Sequence, residues 1–172
     1  MIDRIYIDMD GVLVDWMSQV LEEIGRPGKL IQHWDMREVG GWDHVKSSFT
    51  PTVAWWENLP KYEWAEDLVA ACERRAKVYI LSSCRWHPSA YEGKTLWIRK
   101  HFPHLEKTFV AAHSKDACAS EYTLLIDDYD ENIDAFEEYS GYTILFPRTW
   151  NTARGDAHDP LTYVKERLKC LR

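Results

Sequence analysis

Apolar residues in this chain fall into short continuous runs. Between the runs lie longer stretches where apolar residues recur every three or four positions. Arg4-Ile-Tyr-Ile7 reads as a short buried strand that runs into Asp8-Met9-Asp10-Gly11-Val12-Leu13. Residues 14–24 have a helical pattern stopped near Gly25 and Pro27. Residues 28–60 follow neither period and are punctuated by Gly40-Gly41, Pro51 and Pro60; they read as short helices and loops of an inserted cap. A helix is predicted over 62–76, with Trp64, Leu68, Ala71 and Cys72 on one face. Lys77–Leu81 is a second strand, halted by Ser82-Ser83, and a helix at about 90–102 stops at Pro103. Further strands are predicted at 107–111, 123–126 and 143–146, with a helix at 130–139, a polar loop at 147–159 and a closing helix at 160–171. Strands separated by helical segments predict an α/β fold: a three-layer parallel sheet with helices on both faces. The cap interrupts it after the first strand, dividing the chain into a core of 1–16 and 61–172 and a cap of 17–60.

A length of 172 residues suits one domain with a sizeable core. The formal net charge of -7 argues against a duplex nucleic-acid partner and leaves open a small anionic substrate held by local donors and a metal. Cys72, Cys84, Cys118 and Cys170 make no C-x-x-C pair and no zinc module, so free thiols are expected. The N-terminus enters a strand pattern at once, without a basic region and apolar run of the secretory kind. No stretch reaches the roughly eighteen apolar residues of a spanning helix, and a cytoplasmic protein without membrane association is expected. Nine tryptophans change the picture, because five of them lie between Trp16 and Trp56. Such residues fill small cores, and they also stack on flat ligands.

Asp8 and Asp10 leave the first strand directly, and Asp127 and Asp128 leave Leu124–Ile126 in the same relation. Open parallel sheets place ligands at the carboxyl ends of their strands, so the two acidic pairs can converge there. Converging carboxylates are costly to bury without a cation, and hard oxygen ligands suit Mg²⁺. Aspartates after strands also cap helices, so one pair alone would carry little.

The run Asp8-Met9-Asp10-Gly11-Val12-Leu13 resembles the first motif of the haloacid dehalogenase superfamily. Ser82 resembles its second, Lys115 its third, and Ile126-Asp127-Asp128 its fourth, all in family order. The resemblance implies a Rossmann-like core. It also implies Asp8 as the nucleophile that forms an aspartyl-phosphate and Asp10 as general acid and base. Ser82 would bind the phosphoryl group, and Lys115, with Lys107 as a nearby competitor, would neutralise it. Asp8, the Asp10 backbone carbonyl and Asp127 would hold Mg²⁺, with Asp128 as an outer or alternative metal contact. Gly11 would permit a tight turn or a close phosphate approach.

Within that superfamily the chain resembles the 5'(3')-deoxyribonucleotidases. Residues 8–16, DMDGVLVDW, are similar to their DMDGVLADF, and Trp55-Trp56-Glu57-Asn58-Leu59-Pro60 to their aromatic stretch before the second motif. Ser82-Ser83 resembles their Thr-Ser. The resemblance implies a deoxynucleoside monophosphate substrate, its base against Trp16, Trp42, Phe49, Trp55 and Trp56, with Ser83 on phosphate. Arg85 and His87 follow closely enough to hold phosphate or sugar, and His113 is a further candidate contact. The chain departs from the pattern at Cys84-Arg85, where that family carries proline, and in a longer step from Lys115 to Asp127. Alternatives are a phosphatase for a sugar phosphate or other small organophosphate, and a phosphate-binding protein without turnover. A polynucleotide 3'-phosphatase is disfavoured by the acidic balance. A homodimer is compatible with the sequence, which marks no interface.

Overall fold

The computed structural model describes residues 1–171. Five strands, β1 (Arg4–Ile7), β2 (Lys77–Ser82), β3 (Phe109–Ala111), β4 (Thr123–Asp127) and β5 (Tyr142–Leu145), form one sheet in the order β3-β2-β1-β4-β5. Every pairing is parallel. The chain builds outward from β1 through β2 to β3, then returns to add β4 and β5 on the other side. The reversal falls between β1 and β4, and such a switch point opens a crevice at the carboxyl ends of the strands. Register sharpens that placement, because Ile7 pairs with both Ile80 and Ile126. Asp8, Ser82 and Asp127 therefore stand together at one end of the sheet.

Alternation along the strands sends side chains to two faces. Ile5, Ile7, Val78, Ile80, Leu124 and Ile126 join one large apolar cluster, while Tyr6, Leu81 and Leu125 join a smaller one with Phe136. The large cluster includes Leu68, Val69 and Cys72 of α4 (Ala65–Glu73) and Val164 and Leu168 of α7 (Pro160–Cys170). Phe136 comes from α6 (Asp130–Glu138). Helices on both faces make the three layers that the strand–helix alternation predicts.

Three α-helices lie between β1 and α4: α1 (Trp16–Glu23), α2 (Gly41–Ser48) and α3 (Val53–Glu57). Asp15 caps α1 by accepting from the Ser18 N–H, and Met17, Val20 and Leu21 are its buried face. Ile31, Met36, Val39, Val45 and Trp56 of this insertion belong to the same apolar cluster as the sheet. The cap therefore shares its packing with the core rather than standing clear of it. The remaining long helix, α5 (Ser89–His101), follows β2.

Two segments differ from the sequence expectation. The strand expected at 107–111 begins only at Phe109, because Pro103–Thr108 forms a 3₁₀ turn with Pro103 at its start and Leu105 buried. The stretch 147–159 is anchored: Trp150 and Asn151 are buried, and Asn151 Nδ2 donates to the carbonyls of Phe146 and Asp128. All four cysteines are free thiols. Among the described residues, no helix is long and apolar enough to cross a membrane.

Candidate active site

Asp8 is the first residue beyond β1, and its N–H still bonds to the Ile126 carbonyl at 2.9 Å, so the sheet fixes where its carboxylate begins. The chain then turns at once: the N–H groups of Leu13 and Val14 return to the Met9 carbonyl, and Gly11 takes φ +79°. A Cβ on Gly11 would lie 2.0 Å from Asp128 Oδ2. Glycine thus serves both turn and close approach here, and the group approaching is a carboxylate of the second acidic pair.

Those pairs converge. Carboxylate oxygens of Asp8, Asp127 and Asp128 lie within 4.8 Å of one another, and all three residues are buried. Lys115 stands between two of them, with Nζ 2.7 Å from Asp8 Oδ1 and 2.6 Å from Asp127 Oδ2. Burial pushes the Asp8 carboxyl up to about 7; Lys115 opposes that shift, and the neighbouring aspartates add to it. Burial and the charges of Asp8 and Asp127 likewise hold Asp128 well above the usual carboxylate range. Burial works against the Lys115 ammonium, yet Asp127 and Asp8 together keep its pKa above the ordinary lysine value.

The carboxylates are held from outside. Asp127 accepts from the Tyr129 N–H at 3.0 Å and from Asn132 Nδ2 at 3.1 Å. Asp128 Oδ2 accepts from Trp150 Nε1 at 3.0 Å, whereas its buried Oδ1 has no partner. An orphaned buried carboxylate oxygen beside two further carboxylates fits a hard divalent cation such as Mg²⁺. Three acidic groups against one lysine leave a negative surplus that such an ion would offset.

Asp10 points elsewhere. Its Oδ2 accepts from Lys94 Nζ at 2.5 Å, and its buried Oδ1 has no partner. Lys94 also donates to Ser82 Oγ at 2.9 Å and to the Ser83 carbonyl at 2.8 Å. Lys94 lies outside the set of residues expected from sequence motifs. Its signal was there: Lys94 shares the apolar stripe of α5 with Ala90, Trp97 and Ile98, and a lysine on a buried stripe requires an anionic partner.

Beside Asp10 and Ser83 opens a cavity of about 410 Å³. Trp16, Trp42 and Trp56 line it, joined by Trp34 and Trp86 from outside the expected set. Trp16 and Trp42 stack with ring centres 5.7 Å apart, and Trp86 meets Trp42 edge-on at 6.1 Å. Trp34 stacks on Tyr129 at 4.4 Å, tying the cap to the residue after Asp128. Phe49 and Trp55 lie outside the cavity lining and pack on each other and on Trp86. Exposed Lys46, Arg85 and His113 complete the lining, and Arg85 Nη1 donates to His113 Nε2 at 2.5 Å. His87 is turned to Ser89 and does not line the cavity.

Known proteins share this architecture. The L-2-haloacid dehalogenase of Xanthobacter autotrophicus superposes with a TM-score of 0.54 at 14% identity, covering 98% of this chain and 88% of that one. A HAD family enzyme of Bacteroides thetaiotaomicron, solved with magnesium and inorganic phosphate, gives 0.50 at 18% identity, covering 88% and 96%. These likenesses establish the fold. The 5'(3')-deoxyribonucleotidase of Bacillus subtilis (strain 168) is 24% identical over 156 residues, 86% of each chain. A family model described as 5' nucleotidase, deoxy (pyrimidine), cytosolic type C matches residues 1–159, and the chain belongs to that family.

Proposed function

We propose that this chain hydrolyses deoxynucleoside monophosphates through an aspartyl-phosphate on Asp8, with magnesium held by Asp8, Asp127, the Asp10 backbone carbonyl and Asp128. One observation carries the reading: Lys115 bridges Asp8 and Asp127 within a triad of buried carboxylates at the switch point of the sheet. A carboxylate nucleophile and a phosphate monoester repel each other, so attack needs positive charge on both. When bound, magnesium supplies that charge and orients the phosphoryl group. Lys115 steadies the nucleophile, and Ser82 offers its hydroxyl to a phosphoryl oxygen. Asp10 lies beside the cavity, where it protonates the departing ester oxygen and then takes a proton from the attacking water.

The substrate class rests on the cavity and the family. Tryptophan walls suit a flat base, and stacking contributes about 1–3 kcal/mol per base. Exposed Arg85, Lys46 and His113 on the same lining favour an anionic ligand. The test is magnesium-dependent phosphate release from a panel of deoxynucleoside, ribonucleoside and sugar monophosphates. Preferential turnover of deoxynucleotides is expected. Turnover confined to sugar phosphates would keep the chemistry and overturn the assignment of the cavity.

A further inference from the structure

Lys94 is completely buried and lies on α5, twelve residues beyond Ser82 in the chain. An ammonium carries three N–H donors. The three acceptors are Asp10 Oδ2, Ser82 Oγ and the Ser83 carbonyl. No donor is left for a ligand, so Lys94 does not read as a phosphate contact. Each acceptor belongs to a residue at the reaction centre, and Asp10 is the only carboxylate paired with this lysine among the described residues.

We propose that Lys94 is the positioning residue for the general acid: it binds Asp10 Oδ2 and leaves Oδ1 as the oxygen that exchanges a proton with the leaving group. The proposal rests on the reading of Asp10 as that acid. Three consequences follow from the contacts. Asp10 cannot rotate without breaking a charge-assisted bond to a fixed donor. Ser82 Oγ accepts from Lys94, so the serine proton points elsewhere and is free to donate to a phosphoryl oxygen. The Ser83 carbonyl is tied to the same nitrogen, which holds the loop after β2 against the site.

The lysine also meets the cap. Its Nζ lies 5.0 Å from the centre of the Trp56 ring, and Trp56 lines the cavity from α3. The preceding residue must be glycine for this contact: a Cβ on Gly93 would sit 2.4 Å from Trp56 Cβ and 2.6 Å from the Val53 carbonyl. Helices α3 and α5 are therefore in direct backbone contact where the lysine passes toward Asp10. Arginine would not substitute, because its planar fork does not meet three acceptors arranged around one nitrogen.

The test compares leaving groups. The first turnover and the steady state of the full chain with magnesium are both followed, on a deoxynucleoside monophosphate, whose alkoxide needs a proton, and on p-nitrophenyl phosphate, whose phenolate does not. Wild type, K94M, K94R and D10N are measured, with thermal melting to confirm folding and K94Q as the alternative should K94M not fold. Loss of a positioned acid costs about 10²–10⁴-fold. K94M and K94R are expected to lose about 100-fold or more in the first-turnover rate on the nucleotide. Half-saturation by the nucleotide and the rate of the p-nitrophenolate burst should each stay within about threefold, while steady-state release from both substrates falls, because Asp10 also takes the proton of the water that attacks the aspartyl-phosphate. D10N should share that pattern, and K94M/D10N should be no slower than the worse single variant. Equal losses in the first turnover of both substrates, or weaker half-saturation with the first-turnover rate intact, would overturn the role given to Lys94. If D10N itself shows no dependence on leaving group in the first turnover, the reading of Asp10 fails first, and the two failures are thereby told apart.

Discussion

Gly11 and Asp128 approach so closely that the smallest side chain at residue 11 would occupy the place of a carboxylate oxygen, 2.0 Å from Asp128 Oδ2. The first and last motifs of the site are thus in contact through a hydrogen atom. Gly11→Ala meets two costs, a left-handed backbone at φ +79° and displacement of Asp128. The backbone alone contributes about 1–2 kcal/mol. G11A is expected to melt lower than wild type and to bind Mg²⁺ at least about tenfold more weakly by calorimetry. Unchanged Mg²⁺ affinity would show that Asp128 has no part in the metal site.

Lys115 is the single cation shared by Asp8 and Asp127 in the described structure. Lys115→Met leaves buried carboxylates facing one another. Breaking a buried pair by removing one partner costs about 3–5 kcal/mol. The variant should melt well below wild type in EDTA and recover part of the difference with Mg²⁺, while kcat stays at least about 100-fold down. Near-normal turnover in K115M would displace Lys115 from the mechanism.

Burial raises the Asp8 carboxyl from its usual 3.8 to about 7 in the metal-free protein. The folded state then binds more protons than the unfolded chain between those limits, so stability falls as pH rises through that window. Melting of the EDTA-treated protein should therefore drop from pH 5 to pH 7.5, and Mg²⁺ should reverse the drop at the upper end. Because the metal must displace this proton, its affinity should weaken as pH falls below 7. A metal-free melting temperature that climbs over the same range would contradict the buried, proton-holding state of Asp8.

Trp86 sits at the centre of the aromatic array, edge-on to Trp16, Trp42, Trp55 and Trp56. If this wall receives the base, Trp86→Ala raises KM for a deoxynucleotide by a factor that stacking of about 1–3 kcal/mol would set, roughly 5- to 150-fold. KM for a phosphate ester without a base should barely change. Equal effects on both would make the array a packing element only.

The acidic pairs and the sheet were legible because they are local: apolar runs mark the strands, and a carboxylate immediately after a strand must emerge at its carboxyl end. Ser82 and Lys115 could be placed by their position after later strands. Lys94 escaped because its partner Asp10 is 84 residues away in the chain. Only the conflict between its charge and its place on a buried helical stripe pointed to it. The aromatic wall was read in part. Trp16, Trp42 and Trp56 face the cavity, but Trp34 and Trp86 lie on loops whose paths are set by packing with Tyr129 and the cap. No periodicity marks such loops, and the same lack of pattern hid the inward turn of Trp150 and Asn151.

The central claim is that Asp8 carries the phosphoryl group. The direct measurement is to mix enzyme, Mg²⁺ and a deoxynucleoside monophosphate, quench during turnover with borohydride, and map the peptides by mass spectrometry. Reduction of an acyl phosphate converts the aspartate to homoserine, and this account predicts that conversion at residue 8, dependent on substrate and absent in D8N, which also releases no phosphate. Homoserine at another residue, or sustained phosphate release by D8N, would contradict it.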